Sequence, residues 1–149
     1  MAKVILQFPN PILSQVSQPV TQVDSAVRDL AKELLCWFEL TNRVGIAAVQ
    51  VGELHRIIAV RQNSESLVII NPEIIKTSEQ SYPNIEGCLS INHGESLYEI
   101  KRYKIVKVRG IDLNEEPVTY KSRGLFGAVL QHEIDHLNGK MINQNGKIH

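Results

Sequence analysis

The sequence predicts an α+β fold, on three observations. An amphipathic helix stands near the N-terminus, residues 43–121 read mainly as β-strands, and a second helix follows late. The strands do not alternate with helices, which excludes the parallel sheet of a βαβ architecture. At 149 residues the chain is sized for one domain, residues 1–149, able to bury a core without disulfide staples.

The first segment is punctuated by Pro9, Pro11 and Pro19 and should be extended or irregular, because each ring fixes φ and removes a donor. Asp24 or Ser25 offers an oxygen to cap a helix. Val27, Leu30, Ala31, Leu34, Leu35 and Phe38 then recur at i, i+3, i+4, i+7, i+8 and i+11, a stripe of about four turns ending near Thr41-Asn42. Cys36 lies among these residues, so a buried and inert thiol is expected. His55 to Arg61 and Leu67 to Ile70 are β-branched runs separated by the polar turn Gln62-Asn63-Ser64. Tyr103 to Arg109 alternates in part, continued by Ile111 and Leu113. Asn114-Glu115-Glu116-Pro117 is a turn signal, with Val118-Thr119-Tyr120 as the returning strand. The second helix should begin near Gly124 and stop at Asn138-Gly139, with Leu125, Val129, His132 and His136 on one inward face.

Composition narrows the function classes. With 16 basic and 16 acidic residues, the chain has no global attraction to nucleic acid or anionic membrane. No apolar run approaches the roughly 18–20 residues of a membrane span. The start, Met1-Ala2-Lys3-Val4-Ile5-Leu6-Gln7-Phe8-Pro9, has neither a signal-peptide core nor an Arg/Ser-rich transit segment. Two cysteines without an export signal point to a reducing, cytosolic compartment.

The chemistry concentrates at His132-Glu133-Ile134-Asp135-His136. Two imidazoles at i and i+4 share a helix face and can bind one metal ion, while the adjacent Glu133 can handle the protons of a water. A catalytic site of this kind needs a third protein ligand. Only 13 residues follow His136, with no carboxylate and one terminal histidine, so the third ligand must come from upstream. Cys88, in Glu86-Gly87-Cys88-Leu89-Ser90, is favoured because a thiolate is a strong ligand; His93, beside Asn92 and Gly94 in an apparent loop, is the rival. A third stretch, Val44 to Gly52, combines small residues with Gln50. It reads either as a tightly packed strand or turn, or as a place where a substrate backbone approaches an oxyanion-stabilising amide.

Together these stretches resemble the peptide deformylase family, which carries GxGxAAxQ, EGCLS and HExDH in that order. Here they read Arg43 to Gln50, Glu86 to Ser90 and His132 to His136, and the likeness runs from Leu6 to Gly139. The resemblance implies antiparallel or mixed β-sheets packed around a central metal-binding helix. It implies Cys88, His132 and His136 as ligands of one divalent ion, natively Fe2+, with Zn2+, Ni2+ or Co2+ as substitutes. Glu133 would take a proton from the attacking water and pass it to the leaving amine. Gln50 and the Leu89 N–H would stabilise the oxyanion. Val44, Gly45, Glu86, Gly87, Ala128 and Val129 would bind substrate, with Val44, Ala128 and Val129 around the methionine side chain and Gly45 pairing in β-strand fashion. Asp135 would pair with an arginine, Arg102. The substrate would be the N-formylmethionyl end of nascent peptides and the products formate and a free amine.

The expected protein is a monomer that binds neither nucleic acid nor membrane directly, in the bacterial cytosol or a phage-infected cell. It resembles short, phage-encoded members that lack a C-terminal helix, so proximity to the ribosome is expected without helix-mediated docking. Three positions depart from the family pattern. Arg43 replaces a usual glycine and should alter substrate range or access, the stretch after Ser90 looks lengthened, and Leu97 falls near a usual peptide-contacting arginine. Two competing readings are a general metallopeptidase and a catalytically dead metal- or peptide-binding relative.

Overall fold

The structure, a computed structural model, describes residues 4–149; the part of the leader reading that falls on residues 1–3 lies outside the described residues. Asp24 caps the first helix, α1 (Ser25–Leu40), by accepting the Val27 N–H at 3.0 Å. Thr41 closes it, donating its hydroxyl to the Trp37 carbonyl at 2.6 Å. Val27, Leu30, Ala31, Leu34 and Phe38 are buried, as their spacing predicts. Cys36 is not. Two residues beyond Leu34 it has turned about 200° around the axis, and the thiol is exposed, which corrects the expectation of a buried cysteine.

In chain order the strands are β1 (Gly45–Ala47), β2 (Ile57–Gln62), β3 (Glu65–Thr77), β4 (Ser81–Glu86), β5 (Tyr98–Tyr103), β6 (Ile105–Ile111), β7 (Pro117–Arg123) and β8 (Lys147–Ile148). The late helix α2 (Gly124–Leu137) and the single turn α3 (Ile142–Asn145) lie between β7 and β8. One antiparallel sheet runs β1-β2-β3-β6-β7, and a smaller one runs β4-β5-β8.

The large sheet is covered on both faces. Ile58 and Val60 of β2 join Val106, Val108 and the α2 residues Val129, Leu130, Ile134 and Leu137. Ile57 and Ala59, one step out of phase, pack with Leu30, Leu34 and Phe38 of α1. This double burial is why β2 reads as an unbroken apolar run rather than an alternating one. Each such side chain contributes roughly 1.5–3 kcal/mol on burial.

Three differences from the sequence reading have physical causes. The strand expected to end at Ile70 continues to Thr77, with register shifts after Ile70 and Ile74. At Asn71-Pro72 the strand bulges, with Asn71 at φ 53° and its amide bonded to both backbone groups of Val20 at 2.8 and 2.9 Å. Strand β4, within the stretch read as mainly β but not among its named runs, contains Pro83; proline is tolerated there because β4 is an edge strand. Tyr103 ends β5 in the small sheet and Ile105 begins β6 in the large one, so the single run expected over Tyr103 to Arg109 divides at Lys104.

Helix α2 lies where the sheets meet, against β1, β2, β6 and β7 on one side and β5 on the other. It ends at Asn138, and Gly139 leaves at φ 74° beside the Ser14 carbonyl, where a Cβ would sit only 2.5 Å from the oxygen. The proline-punctuated segment also fixes the site's walls. Leu6 N–H donates to the Gln50 carbonyl and Phe8 N–H to the Ser90 carbonyl, each at 2.7 Å, and Gln7 Nε2 donates to the Leu89 carbonyl at 2.7 Å. Among the described residues no helix is long and apolar enough to cross a membrane.

Candidate active site

Two of the chemistry-bearing motifs meet on one face of α2. The helical i, i+4 repeat sets the His132 and His136 rings 5.0 Å apart, and Cys88 arrives from the loop after β4 with its sulfur 3.3 Å from His136 Nε2. The candidate ligand atoms of Cys88, His132 and His136 all lie within 4.8 Å of one another. The rival His93 is exposed, on a turn after Ser90, and is not part of this cluster. A thiolate with two imidazoles suits a divalent first-row ion such as iron, zinc, nickel or cobalt, so the donors present fit the implied metal.

The third motif forms the opposite wall. Gln50 is 2% exposed, and its side-chain Oε1 accepts the Ala47 N–H at 2.9 Å. That bond aims its Nε2 towards Ser90 Oγ at 3.1 Å and Cys88 Sγ at 3.7 Å. Gly45 stands against α2 so closely that a Cβ would lie 2.5 Å from Glu133 Oε2 and 2.8 Å from Val129 Cγ1. Glycine here admits the chain's own acid, a closer constraint than the substrate approach the sequence suggests. The cleft between the walls holds about 240 Å³ and is lined by Val44, Gly45, Gln50, Glu86, Gly87, Cys88, Leu89, Ala128, Val129, His132 and Glu133, every expected site residue except the deeper His136.

A sequence model of the family described as polypeptide deformylase matches residues 2–147. The chain belongs to that family. It is 37% identical over 142 residues to a peptide deformylase of Dictyoglomus thermophilum, covering 95% of this chain and 91% of the relative. A Phenylobacterium zucineum peptide deformylase is 39% identical, over 91% and 82%. Among solved structures, the Thermotoga maritima peptide deformylase superposes with a TM-score of 0.92 at 32% identity, over 97% of each chain. The Ehrlichia chaffeensis peptide deformylase in complex with actinonin gives 0.91 at 31%, over 97% and 88%.

Behind the deformylase cleft lies a network that local sequence reading caught only in part. The expected Arg102–Asp135 pair is present, Nη1 donating to Oδ2 at 2.7 Å. Arg102 also grips Glu86 with two bonds, Nε to Oε2 at 2.8 Å and Nη2 to Oε1 at 2.7 Å. Glu86 Oε1 in turn meets His132 Nδ1 at 2.8 Å, which leaves Nε2 for the ligand cluster. Glu86, expected to contact substrate, thus has both oxygens engaged by protein groups, Asn84 included. Nothing in its spacing announces this, because its partners lie 16 and 46 residues away. Ser90, which orients Gln50, was likewise missed although it stands inside the motif.

The electrostatics follow from burial and neighbours. Burial opposes ionisation of Glu86, but the bonds from Arg102 and His132 outweigh it and hold the carboxyl at about 2. Burial alone would push the Cys88 thiol up; the His136 and His132 rings hold it well below the ordinary thiol range, favouring the ligating thiolate. For Glu133, 4% exposed, burial raises the carboxyl, and the charges of Cys88 and Glu86 add to that against the two histidines. Its Oε1 has no hydrogen-bond partner among the described residues, which suits a group that exchanges protons with a ligand. Leu125, expected on an inward face, is 69% exposed; it forms the rim of the cleft, so this end of the helix face is open wall and not core.

Proposed function

We propose that this chain, as a single catalytic domain over residues 1–149, removes the formyl group from N-formylmethionyl peptides and releases formate. The observation that carries it is the convergence of Cys88, His132 and His136 in a cleft shared by Glu133 and Gln50, in a member of the polypeptide deformylase family. Cys88, His132 and His136 hold one divalent cation, with Fe2+ the native ion and Zn2+, Ni2+ or Co2+ able to replace it. When bound there, such a cation would supply Lewis acidity.

The chain's own groups do the rest. Glu133 takes the proton of the attacking water on its carboxylate and delivers it to the departing amine. Gln50 Nε2 and the Leu89 N–H donate to the oxygen that gains charge. Gly45 pairs with the substrate main chain, and Val44, Ala128 and Val129 surround the methionine side chain. The protein works in the cytosol as a monomer, on peptide ends alone.

Formate release from formyl-Met-Ala-Ser by the nickel-loaded protein tests this reading. Glu133→Ala should abolish it with the metal retained. A silent wild type that still binds metal would favour the binding-only relative, and cleavage of unformylated internal bonds would favour a general peptidase. The family match and the cysteine-containing ligand set favour the deformylase reading over both.

A further inference from the structure

Among the described residues Arg43 pairs with no carboxylate. It precedes β1 by two residues and lines the mouth of the cleft with Asn42, Asn84, Ile85 and Leu125. Its guanidinium spans to the opposite wall, where Nη2 donates to the Gly94 carbonyl at 3.0 Å. That wall is shaped to receive it. A Cβ on Gly94 would overlap Arg43 Nη2, and one on Gly87 would lie 3.3 Å from Nη1 and 3.4 Å from Leu97 Cδ2. Asn92, His93 and Gly94 have left-handed φ values of 47°, 53° and 86°, a tight turn that presents the Gly94 carbonyl to Arg43.

Among the described residues Arg43 has no carboxylate partner, whereas the other guanidinium of this region, Arg102, is saturated by Glu86 and Asp135. A single bond to Gly94 leaves most of the Arg43 N–H donors free for a ligand.

We propose that Arg43 makes the enzyme selective for formyl peptides that carry a carboxylate at their third residue. This rests on the deformylase reading and names a substrate class within it. Strand β1 is the edge of the large sheet, so its outer side is free for an extended substrate. With methionine opposite Gly45, the chain leaving along that edge meets Arg43 two residues later, because same-face positions of a strand recur every second residue. A carboxylate there finds a planar fork already tethered at one end, so little side-chain freedom is lost on pairing. The carboxylate can belong to an acidic side chain or to the C-terminus of a tripeptide; the chemistry is the same.

The test compares formyl-Met-Ala-Glu-amide with formyl-Met-Ala-Gln-amide, and formyl-Met-Ala-Ser as free acid with its amide, on the nickel-loaded protein. Wild type should favour the anionic member in kcat/KM by roughly threefold to tenfold at low salt, less as ionic strength rises. Preference in the glutamate pair assigns the side-chain source, and in the serine pair the terminal one. In Arg43→Gln the ratio should fall to about one, while Arg43→Lys keeps part of it because charge persists without the fork. Dissociation constants for the same peptides on nickel-loaded Glu133→Ala, by calorimetry, should rank alike. Equal rates within both pairs, or a preference surviving in Arg43→Gln, overturn the proposal and leave the deformylase reading standing. No turnover of any formyl peptide overturns both.

Discussion

Replacing Gly45 by alanine tests whether the small residues before Gln50 serve the catalytic acid. An alanine Cβ would lie 2.5 Å from Glu133 Oε2, where ordinary contact begins at 3.4 Å, so the carboxylate must retreat by about 0.9 Å. It cannot do so freely. Val129 Cγ1, 2.8 Å from the same Cβ, is displaced too, and both residues sit on a helix packed against the sheet. A misplacement of about 1 Å in a reacting group is enough to lower a rate on the order of 100-fold, about 2.7 kcal/mol of barrier. Gly45→Ala should therefore lose about two decades of kcat on formyl-Met-Ala-Ser. Metal content should stay at the wild-type level, because Cys88, His132 and His136 are untouched. Steady-state kinetics with metal analysis of the same sample gives both numbers. A metal-loaded Gly45→Ala enzyme within about threefold of wild type would refute the reasoning.

Other consequences are more structural. Arg102 is 3% exposed, so Arg102→Met leaves Glu86 and Asp135 without their cation; a loss of about 3–5 kcal/mol and a fall in Tm of roughly 10–15 °C should appear by calorimetry, and a fall below about 3 °C would contradict it. The Glu86 carboxyl stands at about 2 against an ordinary 4.5, so the stability it supplies is complete above pH 4.5 and lost as pH falls towards 2. Its ceiling is roughly 3 kcal/mol, and in chelator-treated protein Glu86→Gln should flatten the denaturant stability curve across that window; an unchanged slope would count against the assignment. Cys36 is exposed and Cys88 buried, so metal-loaded protein should show one rapidly reacting thiol, abolished by Cys36→Ser without loss of metal; two fast thiols would mean the Cys88 site is open.

Much of the fold was legible because the signals are local. The α1 stripe, its Asp24 cap and the Asn138-Gly139 stop each depend on residues within a few positions of one another. The differences came where tertiary context extends or divides a strand: β3 runs on past Ile70 through a bulge whose Asn71 is held by Val20, and the run over Tyr103 to Arg109 is split between two sheets. Cys36 was misplaced by proximity in sequence to the apolar stripe when its helical angle puts it on the far side. At the site, the His132–His136 spacing carried its own geometry, Cys88 followed from the lack of a donor downstream and the strength of a thiolate ligand, and the family pattern was needed to join Gln50 to them. The partners of Glu86, Arg102 and His132, were not legible, because contacts between β4, β5 and α2 leave no periodic trace.

That last point decides which carboxylate of the Arg102 network matters more to the metal. The Glu86 side chain is 9% exposed and touches His132 directly, while Asp135 is 31% exposed and acts only through Arg102. Losing Asp135 leaves a guanidinium still doubly bonded to Glu86, and water can reach the vacated side. Losing the Glu86 charge leaves His132 at best a neutral amide oxygen, a weaker acceptor, and strips a buried cation of its main partner. Metal affinity should accordingly fall about 10–100-fold in Glu86→Gln and only a few-fold in Asp135→Asn, measured by competition with a chelator. If Asp135→Asn proved the more damaging, ring orientation by Glu86 could not be what the network is for. Support of the helix through Asp135 would then be the stronger link between the small sheet and the cleft.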